Sequence, residues 1–134
     1  MVPQLVKLNS IGNSNEGFLS VYELAEKHFD QIKRVYWIND VPNGNIRGKH
    51  FHYNLNQLIV CIQGVLEIKL ECNKGKIYFF KLDRFNKALY IPKGHWREIT
   101  FFDNALLLCI ADDIYDENDY VRDYENFKKV NGTI

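Results

Sequence analysis

Arg47-Gly48-Lys49-His50-Phe51-His52-Tyr53-Asn54-Leu55-Asn56-Gln57 runs into the apolar segment Leu58-Ile59-Val60-Cys61-Ile62 and a turn signal at Gln63-Gly64. Residues two apart on an extended chain share a face, so His50 and His52 point the same way and can act together on one small molecule. The chemistry is therefore expected at this pair.

Outward from that stretch, short apolar or β-branched runs recur at residues 5–8, 18–22, 32–38, 57–62, 65–71, 76–82, 88–91, 98–102 and 106–111. Turn signals separate them, among them Pro42-Asn43-Gly44-Asn45, Asn73-Lys74-Gly75 and Pro92-Lys93-Gly94. This is the pattern of an all-β antiparallel sandwich or barrel. Val65-Leu66-Glu67-Ile68-Lys69-Leu70-Glu71 alternates cleanly, so one of its faces is buried and the other wet. Ile77-Tyr78-Phe79-Phe80 is aromatic enough to sit against another sheet. Residues 21–30 fit either one or two helical turns or a loop over the barrel end. Near the end, Tyr120, Val121, Tyr124 and Phe127 are spaced for a short terminal helix over residues 118–128, with Asn118 as its cap. No repeat, low-complexity tract or linker interrupts residues 1–134, which read as a single domain.

A chain of 134 residues can bury roughly two thirds of its unfolded surface. Lysine plus arginine equals aspartate plus glutamate at 17 each, so net charge gives no argument for nucleic acid or an anionic membrane. Any anionic ligand must be met by a few placed cations. Cys61, Cys72 and Cys109 are odd in number and lack CxxC spacing, which suits reduced thiols in a cytoplasmic protein. The N-terminus has no charged leader followed by a long apolar stretch, and no apolar run approaches membrane-spanning length.

Spacing sharpens the reading. Four residues separate His52 from Gln57, six separate Gln57 from Gly64, and Pro92-x-Gly94-x-x-Arg97 follows on a later strand. These are the two cupin motifs in spacing, with two ligand positions changed. In metal-binding cupins a glutamate and a histidine occupy the positions of Gln57 and Arg97 and complete a divalent site with the HxH pair. Here an amide replaces the anionic donor and a fixed cation replaces the last ligand, so no metal is expected. His95 lies beside that position, but its side chain is expected to point to the opposite face.

Five blocks in order, Lys33-Arg34-Val35-Tyr36-Trp37-Ile38, Arg47-Gly48-x-His50-x-His52, Gln57 to Gly64, Leu89-Tyr90-Ile91-Pro92-x-Gly94-x-Trp96, and Tyr115 to Phe127, together resemble the sugar-nucleotide 3,4-ketoisomerases. The resemblance covers nearly the whole chain beyond Ile32. It implies a cupin, RmlC-like jelly-roll barrel with a short C-terminal helix, assembled as a homodimer. It also implies a dTDP-linked 4-keto-6-deoxy sugar as substrate, dTDP-4-keto-6-deoxyglucose, whose ketone moves from carbon 4 to carbon 3 without metal or redox cofactor. The products are precursors of 3-amino-3,6-dideoxyhexoses for bacterial surface glycans, such as the O-antigen of lipopolysaccharide.

By position in that family, His50 matches the catalytic base and His52 the partner that orients it, relays protons or stabilises the enediolate oxygen. Arg47 and Arg34 are candidates for the pyrophosphate. Tyr36 and Trp96 are candidates for the sugar or thymine pocket; Tyr36 and Trp37 cannot both face inward because neighbours on a strand alternate, and Tyr36 is expected inward as a hydrogen-bonding phenol. Gln57 is expected to bond within the pocket floor, with one of the histidines as a candidate partner. The family's usual first block reads RGxHAHK, and Phe51 and Tyr53 depart from it; both should point away from the pair. Its usual Trp-His after PxG is Trp96-Arg97 here. An arginine cannot deliver a proton to carbon 4 at neutral pH, so Arg97 is expected to hold the enediolate or phosphate, and the gluco epimer is the expected product. The acidic run from Asp112 to Tyr120 lacks the glycine and spaced glutamate of an EF-hand and reads as a structural tail. Two other functions fit the same residues: a 3,5-epimerase-like enzyme on the same substrate class, and a non-catalytic nucleotide-sugar-binding cupin.

Overall fold

The computed structural model describes residues 1–24 and 28–130. In chain order these form β1 (Gln4–Lys7), β2 (Asn9–Asn13), β3 (Gly17–Val21), β4 (Arg34–Ile38), β5 (Ile46–His52), β6 (Gln57–Cys72), β7 (Ile77–Leu82), β8 (Lys87–Ile91), β9 (His95–Ala111), a 3-10 turn (Glu117–Asp119), β10 (Tyr120–Val121) and α1 (Tyr124–Lys128).

A ribbon of two long strands organises them. β6 and β9 pair antiparallel along nearly their whole length, and each half of the ribbon takes different neighbours. Residues 57–60 pair β8, residues 107–111 pair β4, and β1 adds beyond β8. Residues 66–71 pair β7, residues 97–100 pair β5, and β10 adds to the far edge of β5. The two halves thus belong to two sheets that face each other. Ile59, Cys61, Leu107 and Cys109 from one and Leu66, Ile68, Leu70 and Phe101 from the other share a single buried cluster. The fold is all-β, a jelly-roll barrel, as expected.

The strands before and after Gln63-Gly64 are not separate elements joined by a turn, nor are residues 98–102 and 106–111. Both pairs are continuous strands bent where the ribbon crosses between sheets. Gly64 takes φ 81° there, and a Cβ on it would lie 2.6 Å from Ala105 Cα, so only glycine fits. Opposite it, Asp103 and Asn104 take φ 57° and 55°, a conformation those side chains tolerate.

Parts of the sheets' outer faces are covered too. Leu8 and Phe29 pack on Leu58, Val60, Ala88 and Tyr90, while Phe127 of α1 packs on Phe51 and Trp96. A five-residue helix has little stability of its own, so α1 depends on this docking. Lys128 Nζ and Tyr124 Oη add a tether, donating to the buried Glu71 carboxylate at 2.7 and 2.9 Å. The terminal helix is shorter than expected, and Asn118 does not cap it. The Asp123 carboxylate does, accepting from Asn126 N–H at 2.9 Å. Tyr120 and Val121, whose spacing also suits a helix, instead pair with His52 and Phe51, because β5 offers them an open edge. Of the either/or reading for residues 21–30, residues 25–27 lie outside the described residues. No helix among the described residues is long and apolar enough to cross a membrane, and the three cysteines are free.

Candidate active site

A cavity of about 370 Å³ opens between the two sheets at the end where β4, β5 and β10 meet. Four arginines line it, Arg34, Arg47, Arg97 and Arg122, together with His50, Tyr36, Gln57 and Tyr120 over an apolar interior. No carboxylate is among the lining residues. A low-dielectric space walled by one sign of charge concentrates the opposite sign, so the cavity selects anions.

His50 sits after an irregularity in β5. The register against β9 shifts between Gly48 and His50, Lys49 takes φ 53°, and Gly48 takes φ 96° with the Arg97 carbonyl oxygen 2.9 Å from where a Cβ would be. Only glycine lets the strands come that close. The His50 Nδ1–H donates to the Gly48 carbonyl at 3.0 Å, which leaves Nε2 as the unprotonated nitrogen. Burial, then the Arg97 charge, pull the imidazole down to about 3, so it is neutral at neutral pH and can accept a proton.

His52 shares the face, its ring edge-on to His50 with centroids 4.8 Å apart. It is buried beneath His50 rather than lining the cavity, and its Nδ1–H donates to Asp119 Oδ2 at 3.0 Å. Burial and the nearby Arg97 charge hold it neutral as well. Tyr120 closes the group, with its ring centroid 5.1 Å from His50 and 4.3 Å from His52.

Arg97 is fully buried at the cavity floor. Its Nη1 donates to Gln57 Oε1, its Nη2 donates to the His95 carbonyl at 3.1 Å, and Gln57 Nε2 donates to Tyr36 Oη at 2.9 Å. No carboxylate pairs with it among the described residues, and its Nε–H has no partner there. The two positions that hold metal ligands in other cupins thus bond to each other. Among the described residues no three His, Cys, Asp or Glu side chains converge as a metal site would require.

Over residues 1–132 the chain matches the family described as "FdtA: WxcM-like, C-terminal". It is 33% identical to the TDP-4-oxo-6-deoxy-alpha-D-glucose-3,4-oxoisomerase of Aneurinibacillus thermoaerophilus, over 96% of this chain and 92% of that one. The chain belongs to the sugar-nucleotide 3,4-ketoisomerases. Solved members of the family superpose closely. The TDP-quinovose 3,4-ketoisomerase WlaRB of Campylobacter jejuni is 36% identical, with TM-score 0.86 over 96% of this chain and 98% of that one. A variant of the 3,4-ketoisomerase QdtA from Thermoanaerobacterium thermosaccharolyticum, in complex with TDP-4-keto-6-deoxyglucose, is 33% identical. Its TM-score is 0.85 over 94% of this chain and 91% of that one.

Within this ketoisomerase fold, His50, Tyr36, Gln57, Arg34, Arg47 and Arg97 converge on one cavity, and Trp37 points to solvent. Three expectations need correction. Trp96 does not reach the pocket. It alternates with Arg97 along β9, so its ring lies on the sheet's outer face, 5.3 Å from Tyr124 and 5.6 Å from Phe127. Gln57 bonds to Arg97 and Tyr36, not to a histidine. His95 stands two residues from Arg97 and therefore on the same side of β9, not the opposite one. Its Nδ1 bonds to the Pro92 and Lys93 carbonyls, and the ring lines a different cavity with Tyr78 and Tyr90.

Three site residues were missed, Asp119, Tyr120 and Arg122. They sit in the acidic run and the segment after it, which read as a structural tail and a helix. The bidentate bonds of Arg122 to Glu117, at 2.8 and 2.9 Å, hold its guanidinium over the Tyr120 ring at the cavity wall. The signal that could have found them is the isolated Tyr120-Val121 pair between Asp119 and Arg122, too short for a helix yet able to extend an edge strand.

Proposed function

We propose that the protein converts dTDP-4-keto-6-deoxyglucose to a dTDP-3-keto-6-deoxyhexose, with His50 as the base. The observation that carries this reading is the orientation of His50: Nδ1–H tied to Gly48 and Nε2 free within an arginine-lined cavity. The pyrophosphate lies among Arg34, Arg47 and Arg122 near the opening, and the keto sugar reaches inward toward His50 and Arg97. Adding the ligand's negative charge opposes the Arg97 charge that depresses His50, and so raises the base toward a useful range.

The C3–H bond breaks, its proton passes to His50 Nε2 and the electron pair moves to the C4 oxygen, giving an enediolate held by Arg97. The C3 hydroxyl then loses its proton as the C3 carbonyl forms, and carbon 4 receives a proton. Burial lowers Arg97 only to about 10, so it stays charged at neutral pH and does not supply that proton; it comes from the histidine pair or from water. The C4 hydroxyl is left equatorial, the gluco epimer. The name of WlaRB supports this, quinovose being 6-deoxyglucose. The enzyme works as a cytoplasmic homodimer, without metal, ahead of an aminotransferase in the assembly of surface glycans such as the O-antigen of lipopolysaccharide.

The test is incubation with dTDP-4-keto-6-deoxyglucose in deuterated water, followed by NMR. Deuterium at carbon 4 with a new 3-keto product supports the proposal. Exchange at carbons 3 and 5 indicates epimerisation instead, and no exchange indicates binding alone. His50→Asn is expected to abolish turnover while leaving dTDP affinity, and an active variant would refute the assignment. A galacto product, trapped by a downstream aminotransferase, would overturn the stereochemical part.

A further inference from the structure

Among the described residues, Asp119 is the carboxylate that bonds the histidine pair. It is held there from several directions. Oδ1 accepts from Asn54 N–H at 2.7 Å and Oδ2 from Leu55 N–H at 3.3 Å, while the Asp119 carbonyl accepts from Tyr53 N–H at 3.2 Å. The next residue, Tyr120, is paired with His52 across the β5 edge. This leaves Oδ2 aimed at His52 Nδ1 at 3.0 Å.

A carboxylate accepts and cannot donate, so the proton of neutral His52 resides on Nδ1 and Nε2 keeps its lone pair. That Nε2 is buried and has no hydrogen-bond partner among the described residues, in a ring that is itself 1% exposed. A buried acceptor left unsatisfied costs stability and calls for a chemical reason. One lies in the ring's neighbours, the proposed base His50 and Tyr120, 4.8 and 4.3 Å away between centroids. The imidazole dipole has its negative end at the unprotonated nitrogen, on the side of the ring away from Asp119. With Nε2 bare, that negative end belongs to a ring centred 4.8 Å from the group that becomes positive when it takes the C3 proton. The opposite tautomer would replace that negative end with an N–H.

We propose that Asp119 is a positioning residue for the isomerisation: it locks His52 in the Nδ1–H tautomer, so that a bare Nε2, backed by the aspartate's charge, stabilises the protonated form of His50. This rests on His50 being the base. It adds that the second histidine of the pair acts through its tautomer, and that the acidic segment ending in Asp119 sets that tautomer.

The test pairs two variants with a tautomer measurement. In Asp119→Asn the amide oxygen can still accept from Asn54 N–H, while its NH₂ group donates to His52 Nδ1 and moves the histidine proton to Nε2. A comparable tautomer reversal in a Ser-His-Asp enzyme lowers kcat by about 10⁴. Here a loss of at least ~100-fold in kcat is expected, with KM within about threefold because Asp119 does not line the cavity. ¹⁵N NMR of the imidazoles should show His52 protonated on Nδ1 in the unmodified protein and on Nε2 in Asp119→Asn. Asp119→Ala, which also loses the loop bonds, should unfold more readily than Asp119→Asn yet be no less active. If Asp119→Asn restores the activity that Asp119→Ala loses, Asp119 merely braces the loop and the proposal falls. It falls equally if the unmodified protein carries the His52 proton on Nε2, a result that needs no variant to fold. Turnover by the unmodified enzyme tests the ketoisomerase reading separately, and the tautomer is read without substrate.

Discussion

Arg97→Met should make the protein more stable while disabling it. The guanidinium is fully buried with no paired carboxylate among the described residues, and burial lowers it from its ordinary 12.5 to about 10. At about 1.4 kcal/mol per pH unit, keeping that charge in the folded state costs about 3 kcal/mol. The sign is that of a cation whose folded value is depressed. The penalty is fully present below pH 10, hence throughout the neutral range, and fades only in strong alkali. Methionine fills much of the same volume without a charge. Against the gain, Gln57 Oε1 and the His95 carbonyl lose their donors, at about 1 kcal/mol each. The net gain is about 1 kcal/mol, or roughly 3–5 °C in melting temperature for a domain of this size. Urea denaturation, with the midpoint compared at unchanged m-value, reads the first part. Turnover of the keto sugar reads the second, which should fall by about 10² or more, the loss typical of one transition-state donor. A variant destabilised by 2 kcal/mol or more would mean that the guanidinium holds the barrel floor together. Near-normal turnover would mean that it does not face the reacting carbons. Either result refutes the view of Arg97 as a charge retained for chemistry at a cost to the fold.

Phe127→Ala removes a fully buried ring from the outer-face cluster and should cost about 3–5 kcal/mol in chemical denaturation. Because α1 begins three residues after β10, turnover should also fall as Asp119 and Arg122 lose support; unchanged stability would show that the helix does not dock. Trp96→Phe should lower the melting temperature yet leave KM for the nucleotide sugar within about twofold, since the side chain never reaches the cavity. A large rise in KM would restore the pocket role first expected for it. Burial alone would push the Glu71 carboxyl up, but the bonds from Lys128 and Tyr124 outweigh it and hold the group below its ordinary 4.5. Docking of α1 therefore gains from Glu71 above that value and loses the gain as pH falls through and below it. Trp96 fluorescence should report undocking below pH 4.5 in the unmodified protein, at a higher pH than global unfolding, and Glu71→Gln should remove that acid transition.

The strands were legible because apolar alternation and Gly or Asn punctuation are local signals, and so was the sharing of a face by His50 and His52. The same alternation said that Tyr36 and Trp37 cannot both face inward, and the phenol's need for a hydrogen-bond partner chose Tyr36. The same rule, correctly applied, places Trp96 outside and His95 on the Arg97 side, so those two misreadings came from its use and not from any missing signal. Gly64 was different. It looked like a turn because a turn and a bend across a sheet corner require the same positive φ, and only the pairing of residues 57–72 against residues 95–111 tells them apart. Tyr120 and Val121 carry a spacing that suits a helix, and the open edge of β5 decided otherwise.

By itself, then, the order of residues determined the all-β class, the histidine pair and the replacement of two metal-ligand positions by an amide and a guanidinium, because each depends on residue type and short spacing. The tertiary structure decided what those groups do to one another. It joined Gln57 to Arg97 across 40 residues and Asp119 to His52 across 67, and it gathered four arginines around one cavity, with Arg122 alone among them paired to a carboxylate, Glu117, among the described residues. The physical reason is that charge, burial and tautomer are set by neighbours in space, and a chain that reverses at every strand brings together residues that no local pattern connects.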